Sequence, residues 1–399
     1  MPVIRERRFL RVKLDMVTRC QLRCIMCHFA HPDFKESPVV MGGELLERVA
    51  AQVFPRAHEV ALSSSSEPLM APDLPHALEL CRRYDVPAFH FSTNALSMTE
   101  KIMDTVIDVR MPWLTVSCDG ATKATFERIR TPAKWEVFLR KLDLIQAVKR
   151  RRGSDVPHLA MTCVLMRSNL REAADLVRLA HAKGFRNVNF TYMAVMGGLG
   201  IEDETPMNDP RLTNAMVAEA RRVGRELGID VVAPMPIAEG FADQGIVTDA
   251  ARSDQGGGTA IAAPADAAFT AAEFLNSRNE LFALKVKKKA EHNRSCYFPW
   301  YYIHINPDGT VFPCGCWFEF TSFGDFKTQS FAEIWTGPKY RELRRQIYNM
   351  ELRDVCANCS VANMGRPDVR ASFSHRAKVR RQGSGANEGR TDPSAAGRA

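Results

Sequence analysis

Cys20, Cys24 and Cys27 stand in the run TRCQLRCIMCHFAH with spacing C-x3-C-x2-C, directly behind a short apolar and β-branched stretch. Three thiolates on one loop hold three irons of a [4Fe-4S] cluster and leave the fourth iron open to another ligand, an arrangement that suits catalysis. Zinc and plain packing are the alternatives, but zinc favours four ligands in paired C-x2-C or C-x2-H spacing. His28 adjoins the set. As a fourth ligand it would close the cluster and leave only electron relay, so it is not assigned.

A second set, Cys296, Cys314, Cys356 and Cys359, has spacing C-x17-C-x41-C-x2-C. Four thiolates without an open position make a closed site with structural and electron-transfer roles. Zinc is the competing occupant, because C-x2-C with two distant cysteines is also a zinc-ribbon pattern. Cys81 falls in a helical pattern and Cys163 in a strand pattern, both read as core. Cys118 is out of phase with Ser117 and Asp119, so it faces away from them and is read as packing.

These residues need positioning elements, and the chain supplies them in alternation. Strand patterns cover 9–17, 59–65, 88–93, 113–119, 158–165 and 187–193, and amphipathic helical patterns such as GELLERVAAQVF, LPHALELCRRY, VFLRKLDLIQAV and LREAADLVRLAHAKG lie between them, the last stopping at Gly184. Strands alternating with helices imply a parallel sheet, and six such units can form an open partial barrel with chemistry at the C-terminal strand ends. Residues 208–227 read as one more helix ending at Gly228, IDVVAPMPI as extended, and DQGGGTAIAAPADAA as a low-complexity linker. Beyond about 285 the chain turns aromatic and cysteine-rich, with NPDG as a turn between two short strands. The expected division is a core at 1–228, a linker or insert at 229–285, a cysteine-rich domain stabilised by metal at 286–365 and a basic disordered tail at 366–399.

Composition bounds the function classes. Apolar residues are 45% and charged residues 25% of the 399, as in a globular protein, and no apolar run approaches the roughly 18 residues of a membrane span. The N-terminal MPVIRERRFLRVKLD has four arginines and no apolar export segment, so a cytoplasmic, reducing location is expected, where eleven cysteines serve metals or chemistry rather than disulfides. The formal charge is +8, but eight Arg and Lys against three acids in 366–399 contribute +5 of it. The tail is read as solvated, and neither nucleic acid nor a membrane is expected as a partner.

On the C-x3-C-x2-C loop behind the first strand, the sequence resembles the radical S-adenosylmethionine enzymes. Ser65-Ser66-Glu67-Pro68 is similar to the family's Gly-Gly-Glu-Pro motif after the second strand, with serine in place of both glycines. Ser92-Thr93-Asn94-Ala95 resembles its Ser-Thr-Asn-Gly motif, and Ser117-Cys118-Asp119-Gly120 its Ser-x-Asp-Gly motif. Arg130, in FERIR, stands where relatives place an arginine on the methionine carboxylate, and Met26 replaces a commonly aromatic residue. The resemblance implies an S-adenosylmethionine site built from Glu67, Pro68, Ser92, Asn94, Ser117, Asp119 and Arg130. Such a ligand presents a carboxylate, an ammonium, a ribose diol and an adenine, which a cation, an anion, small polar groups and an apolar slot would match.

The pattern C-x2-P-W, G-x4-C, Ile334-Trp335-x-Gly337 and C-x2-C resembles the SPASM and twitch domains appended to such barrels, which implies an auxiliary [4Fe-4S] cluster on Cys296, Cys314, Cys356 and Cys359. No cysteine follows Cys359, so the shorter twitch-like form is expected. Cys316 is left as an alternative ligand, a hydrogen-atom donor to a substrate radical, or a buried thiol. The activity implied is reductive cleavage of S-adenosylmethionine to a 5'-deoxyadenosyl radical that abstracts hydrogen from a substrate C–H, best matched by oxidation of a sugar- or cyclitol-like precursor. Maturation or epimerisation of a ribosomal peptide, and a non-catalytic iron-sulfur or zinc module, are the alternatives. A small-molecule or peptide substrate and a low-potential electron donor such as flavodoxin or ferredoxin are the implied partners.

Overall fold

The computed structural model describes residues 8–34, 37–63, 65–193, 199–234, 236–237, 296–317, 321–349, 351–352 and 356. Residues 238–285 of the expected linker 229–285, the tail at 366–399 and Cys359 lie outside the described residues, as does the side chain of Cys316.

Strands β1 (Leu10–Leu14), β2 (Ala57–Ala61), β3 (Ala88–Thr93), β4 (Trp113–Ser117), β5 (His158–Leu165) and β6 (Asn187–Tyr192) alternate with helices α1 (Gly43–Val53), α2 (Leu74–Arg83), α3 (Glu100–Asp108), α4 (Lys123–Ile129), α5 (Trp135–Arg152) and α6 (Ala173–Ala182), then α7 (Pro210–Leu227). Each strand pairs in parallel with the next, from Arg11 opposite Glu59 to Thr162 opposite Asn189. The fold is α/β, with the six βα units of a partial barrel as the sequence predicts.

The register sorts side chains into two faces. Leu10, Val12, Leu14, Val60, Phe91, Leu114, Val116, Met161 and Val188 are fully buried, in one core with the helices' apolar residues. Burying such side chains contributes about 1.5–3 kcal/mol apiece. Arg11, Glu59, His90, Thr115, Thr162 and Asn189 share the other face, which is therefore polar. Glu59 is buried there, bonded by Arg11 Nε and His90 Nε2 at 3.2 Å each. Its burial opposes ionisation, but Arg11 and His90 hold the carboxyl well below its usual range. Cys81, Cys118 and Cys163 are fully buried core thiols, as the sequence predicts.

Two strands differ from the sequence reading. The extended stretch after Gly228 is β7 (Asp230–Val232), paired in parallel with β6, so the sheet of the core continues past residue 228. The larger difference is at the opposite edge. The C-terminal unit, α8 (Phe298–Tyr301), β8 (Tyr302–Ile305), β9 (Thr310–Phe312), β10 (Gly324–Asp325), α9 (Phe331–Trp335) and α10 (Pro338–Asn349), does not stand apart. Strand β8 pairs in parallel with β1, Arg11 opposite Tyr302 through Leu14 opposite Ile305, and the sheet runs β10-β9-β8-β1-β2-β3-β4-β5-β6-β7. The NPDG turn closes β8 onto β9, with Gly309 at φ +89° where a side chain would be strained. Arg344 staples the unit, donating to the carbonyls of Pro299 and Trp335 while lying over the Trp335 ring.

Candidate functional site

The cysteine loop follows β1 and is strapped to the ends of three further strands or helices. Glu67 N donates to Arg19 O at 2.9 Å, Arg23 N to Thr131 O at 2.7 Å and Ile25 N to Ile129 O at 3.0 Å. Gln21 Nε2 donates to Asn94 Oδ1 at 3.1 Å and Ser97 Oγ at 3.3 Å. The loop thus lies where the Glu-Pro, Ser-Thr-Asn and arginine motifs meet.

Cys24 is 8% exposed and Cys20 and Cys27 are half-buried. Burial pushes all three thiols up, Cys24 to about 12, and the Cys20 and Cys27 thiolates would raise Cys24 further. Buried thiols that resist ionisation and lie near one another suit a polynuclear cation, which would supply the missing counter-charge. Cys20 Sγ accepts from Leu22 N at 3.4 Å, and Asn94 Nδ2 lies 3.9 Å from it. His28 Nδ1 lies 3.7 Å from Cys27 Sγ, its ring packed against Phe29 and Phe34. Among the described residues no three His, Cys, Asp or Glu converge as a site for one metal ion. A four-iron cluster takes one thiolate per iron and needs no such convergence.

Glu67 is 3% exposed. It begins the short helical turn Pro68–Met70, where Pro68 is buried. Its Oε1 accepts from Thr93 Oγ1 at 2.5 Å and Leu69 N at 3.2 Å, and its Oε2 from Asn94 N at 2.8 Å. Burial raises its pKa against these neutral donors and nearby Arg130, and no described cation forms an ion pair with it. A buried carboxylate in that position fits an ammonium. Arg130, 7% exposed at the C-terminal end of α4, is the opposite charge. Burial works against its charge, yet a Cys24 thiolate and Asp119 raise its pKa overall. Its Nε is buried without a partner among the described residues, so the guanidinium keeps a donor for a carboxylate.

Asp119, expected among the ligand contacts, lies beside Arg130. It is 1% exposed, pairs with Arg130 Nη1 and accepts from Val164 N at 2.7 Å, which orients the arginine. Gly120 is required beside it, since a Cβ there would meet Phe126 N at 2.5 Å. Ser92 and Ser117 sit half-buried on the polar face of β3 and β4.

Sequence reasoning missed the supports. Asn169, fully buried, donates from Nδ2 to Asp119 O and Val164 O. Glu172 accepts from Ala121 N, Thr122 N, and the Thr122 and Thr125 hydroxyls, fixing the start of the helix that presents Arg130. Asp15 and His304 form a buried pair at 3.0 Å. The Asn-x-x-Glu spacing of 169 and 172 signals only a helix start; nothing local marks Asp15 or His304. In the C-terminal unit, half-buried Cys296 precedes α8, half-buried Cys314 follows β9, and buried Cys356 lies beyond α10.

Residues 14–179 match the family model of the Radical SAM superfamily, and residues 296–360 match SPASM, an iron-sulfur cluster-binding domain. The chain carries a radical SAM domain followed by a SPASM domain, and these domains imply [4Fe-4S] clusters. It is similar in fold to Streptococcus suis SuiB bound to S-adenosylmethionine, at 12% identity, covering 90% of this chain and 72% of that one with a TM-score of 0.59. SuiB bound to the precursor peptide SuiA gives 13% identity, 84% and 67% coverage and 0.56. Native anSMEcpe with bound AdoMet gives 13% identity, 94% and 100% coverage and 0.55. No curated protein matches the chain.

Proposed function

We propose that the chain is a radical SAM oxidoreductase that abstracts a hydrogen atom from a polar substrate and returns it oxidised. The observation that carries this reading is the pair of buried opposite charges flanking the cysteine loop, Glu67 and Arg130. Glu67 would take the ammonium of S-adenosylmethionine and Arg130 the carboxylate, while Ser92, Asn94 and Ser117 offer small polar groups from adjacent strand ends. Cys20, Cys24 and Cys27 would hold one [4Fe-4S] cluster and Cys296, Cys314, Cys356 and Cys359 an auxiliary one. When bound, the clusters supply the electron that splits S-adenosylmethionine into methionine and a hydrogen-abstracting 5'-deoxyadenosyl radical, and an acceptor for the electron the substrate radical gives up. Asp119 keeps Arg130 oriented, and the buried thiols and Glu67 exclude water from the strand ends.

The polar inner face, with Arg11, Glu59, His90, Thr115, Thr162 and Asn189, favours a hydroxylated substrate such as a sugar or cyclitol over an apolar one. A second reading, modification of a peptide, is favoured by the fold shared with SuiB, which binds the precursor peptide SuiA. A low-potential flavodoxin or ferredoxin would serve as donor in either case. The test is anaerobic reconstitution followed by mass analysis with hydroxylated and peptide candidates. One 5'-deoxyadenosine and one methionine per oxidised product, without solvent hydrogen gained at carbon, is expected. Solvent deuterium at carbon without net oxidation would mean epimerisation and would make Cys316 the first hydrogen donor to replace.

A further inference from the structure

Asp15 follows the last residue of β1 and is 1% exposed. Its Oδ1 accepts from Ser65 N at 3.2 Å and Ser66 Oγ at 3.3 Å, and its Oδ2 from Ser65 Oγ at 3.2 Å and His304 Nε2 at 3.0 Å. A carboxylate only accepts, so the histidine nitrogen is the donor. His304 lies in β8, 3% exposed, and Asp15 N donates to the carbonyl of Ile305 in the same strand. One carboxylate therefore holds the turn that leads into Glu67 on one side and the first strand of the SPASM unit on the other.

We propose that Asp15 and His304 are positioning residues for S-adenosylmethionine, tying the ammonium site at Glu67 to the SPASM strand β8; the proposal rests on the reading that the chain binds this cosubstrate. It accounts for the two serines where the family pattern has glycines. Both hydroxyls are committed to Asp15, just beyond the end of β1. Glu67 follows Ser66 directly, and its own bonds go to Thr93, Asn94 and Leu69. Without Asp15, the turn before it has lost three of its anchoring bonds, and the ammonium site loses preorganisation.

The test uses the full chain, reconstituted anaerobically, and reads S-adenosylmethionine affinity, iron content, thermal midpoint and the change in the reduced-cluster EPR signal on adding S-adenosylmethionine. Asp15→Asn and His304→Leu are expected to raise Kd at least fivefold and shrink the EPR change at wild-type iron content. His304→Gln, which keeps an N–H for Asp15, is expected to restore binding to within fivefold of wild type. Should Asp15→Asn fail to fold, the double variant Ser65→Ala with Ser66→Ala, at half-buried loop positions, carries the same expectation. A change under fivefold in Asp15→Asn or the double variant, or equal losses in His304→Leu and His304→Gln, overturns the proposal. A wild-type protein that loads iron but does not bind S-adenosylmethionine overturns the underlying reading instead.

Discussion

Arg130 and Asp119 form an ion pair that is almost wholly buried, the guanidinium Nη1 donating to the carboxylate Oδ2 and leaving Nε without a partner among the described residues. The pair explains how one arginine stays charged and aimed beside the buried Cys24 and the half-buried Cys20 and Cys27. It also separates two effects of removing the arginine.

Arg130→Ala is expected to weaken S-adenosylmethionine binding by about 1.5–3 kcal/mol, the worth of hydrogen bonds to a charged group. It also strands Asp119, at a stability cost of about 3–5 kcal/mol. Titration calorimetry below the variant's melting range isolates the first effect; normal affinity in a folded variant would reduce Arg130 to a structural role.

Replacing Cys20, Cys24 and Cys27 together by alanine should leave about four irons of an initial about eight, since two separated thiolate sets exist. Iron and sulfide analysis decides it. An unchanged content would remove the cysteine loop as a cluster site.

His158 on β5 titrates against the fold. Burial, then Arg186 and Lys149, depress its pKa to about 4. An unfolded imidazole takes a proton below about pH 6.5, so between these values the unfolded chain binds more protons and stability falls as pH falls. With Arg186 exposed and screened, the loss should be about 1 kcal/mol by pH 5.5. Denaturation midpoints at pH 7.5 and 5.5 should drop less in His158→Gln than in wild type; equal drops would show that His158 does not carry this sensitivity.

Gly120→Ala brings a Cβ against the Phe126 backbone in the middle of the helix that carries Arg130. A loss of about 1–3 kcal/mol is expected, as for other overpacked sites, with weaker S-adenosylmethionine binding as α4 shifts. Chemical denaturation and binding titration on the same sample test both; a stable variant with normal affinity would show that the loop absorbs the methyl group.

The sequence by itself determined what local spacing can determine. The cysteine loop is complete within eight residues, strands β3, β5 and β6 lie where period-two and β-branched runs place them, and Glu67, Asn94 and Arg130 stand at strand or helix ends that short motifs mark. Tertiary structure alone decided which of these polar groups face outward and which are spent on the protein. Asp119 reads from the sequence only as part of a short motif, and its bonds to Arg130 and Val164 exist because the chain brings α4 and β5 back to it. Strand β7 reads from the sequence only as an extended stretch, and its three residues are too few for a period to assign it to the core sheet. The pairing of β8 with β1, and with it the Asp15–His304 bond, joins residues 289 apart in sequence. A parallel edge offers its hydrogen-bonding groups to any strand of suitable length, so the choice of partner is made by chain closure and burial, which leave no mark on local spacing.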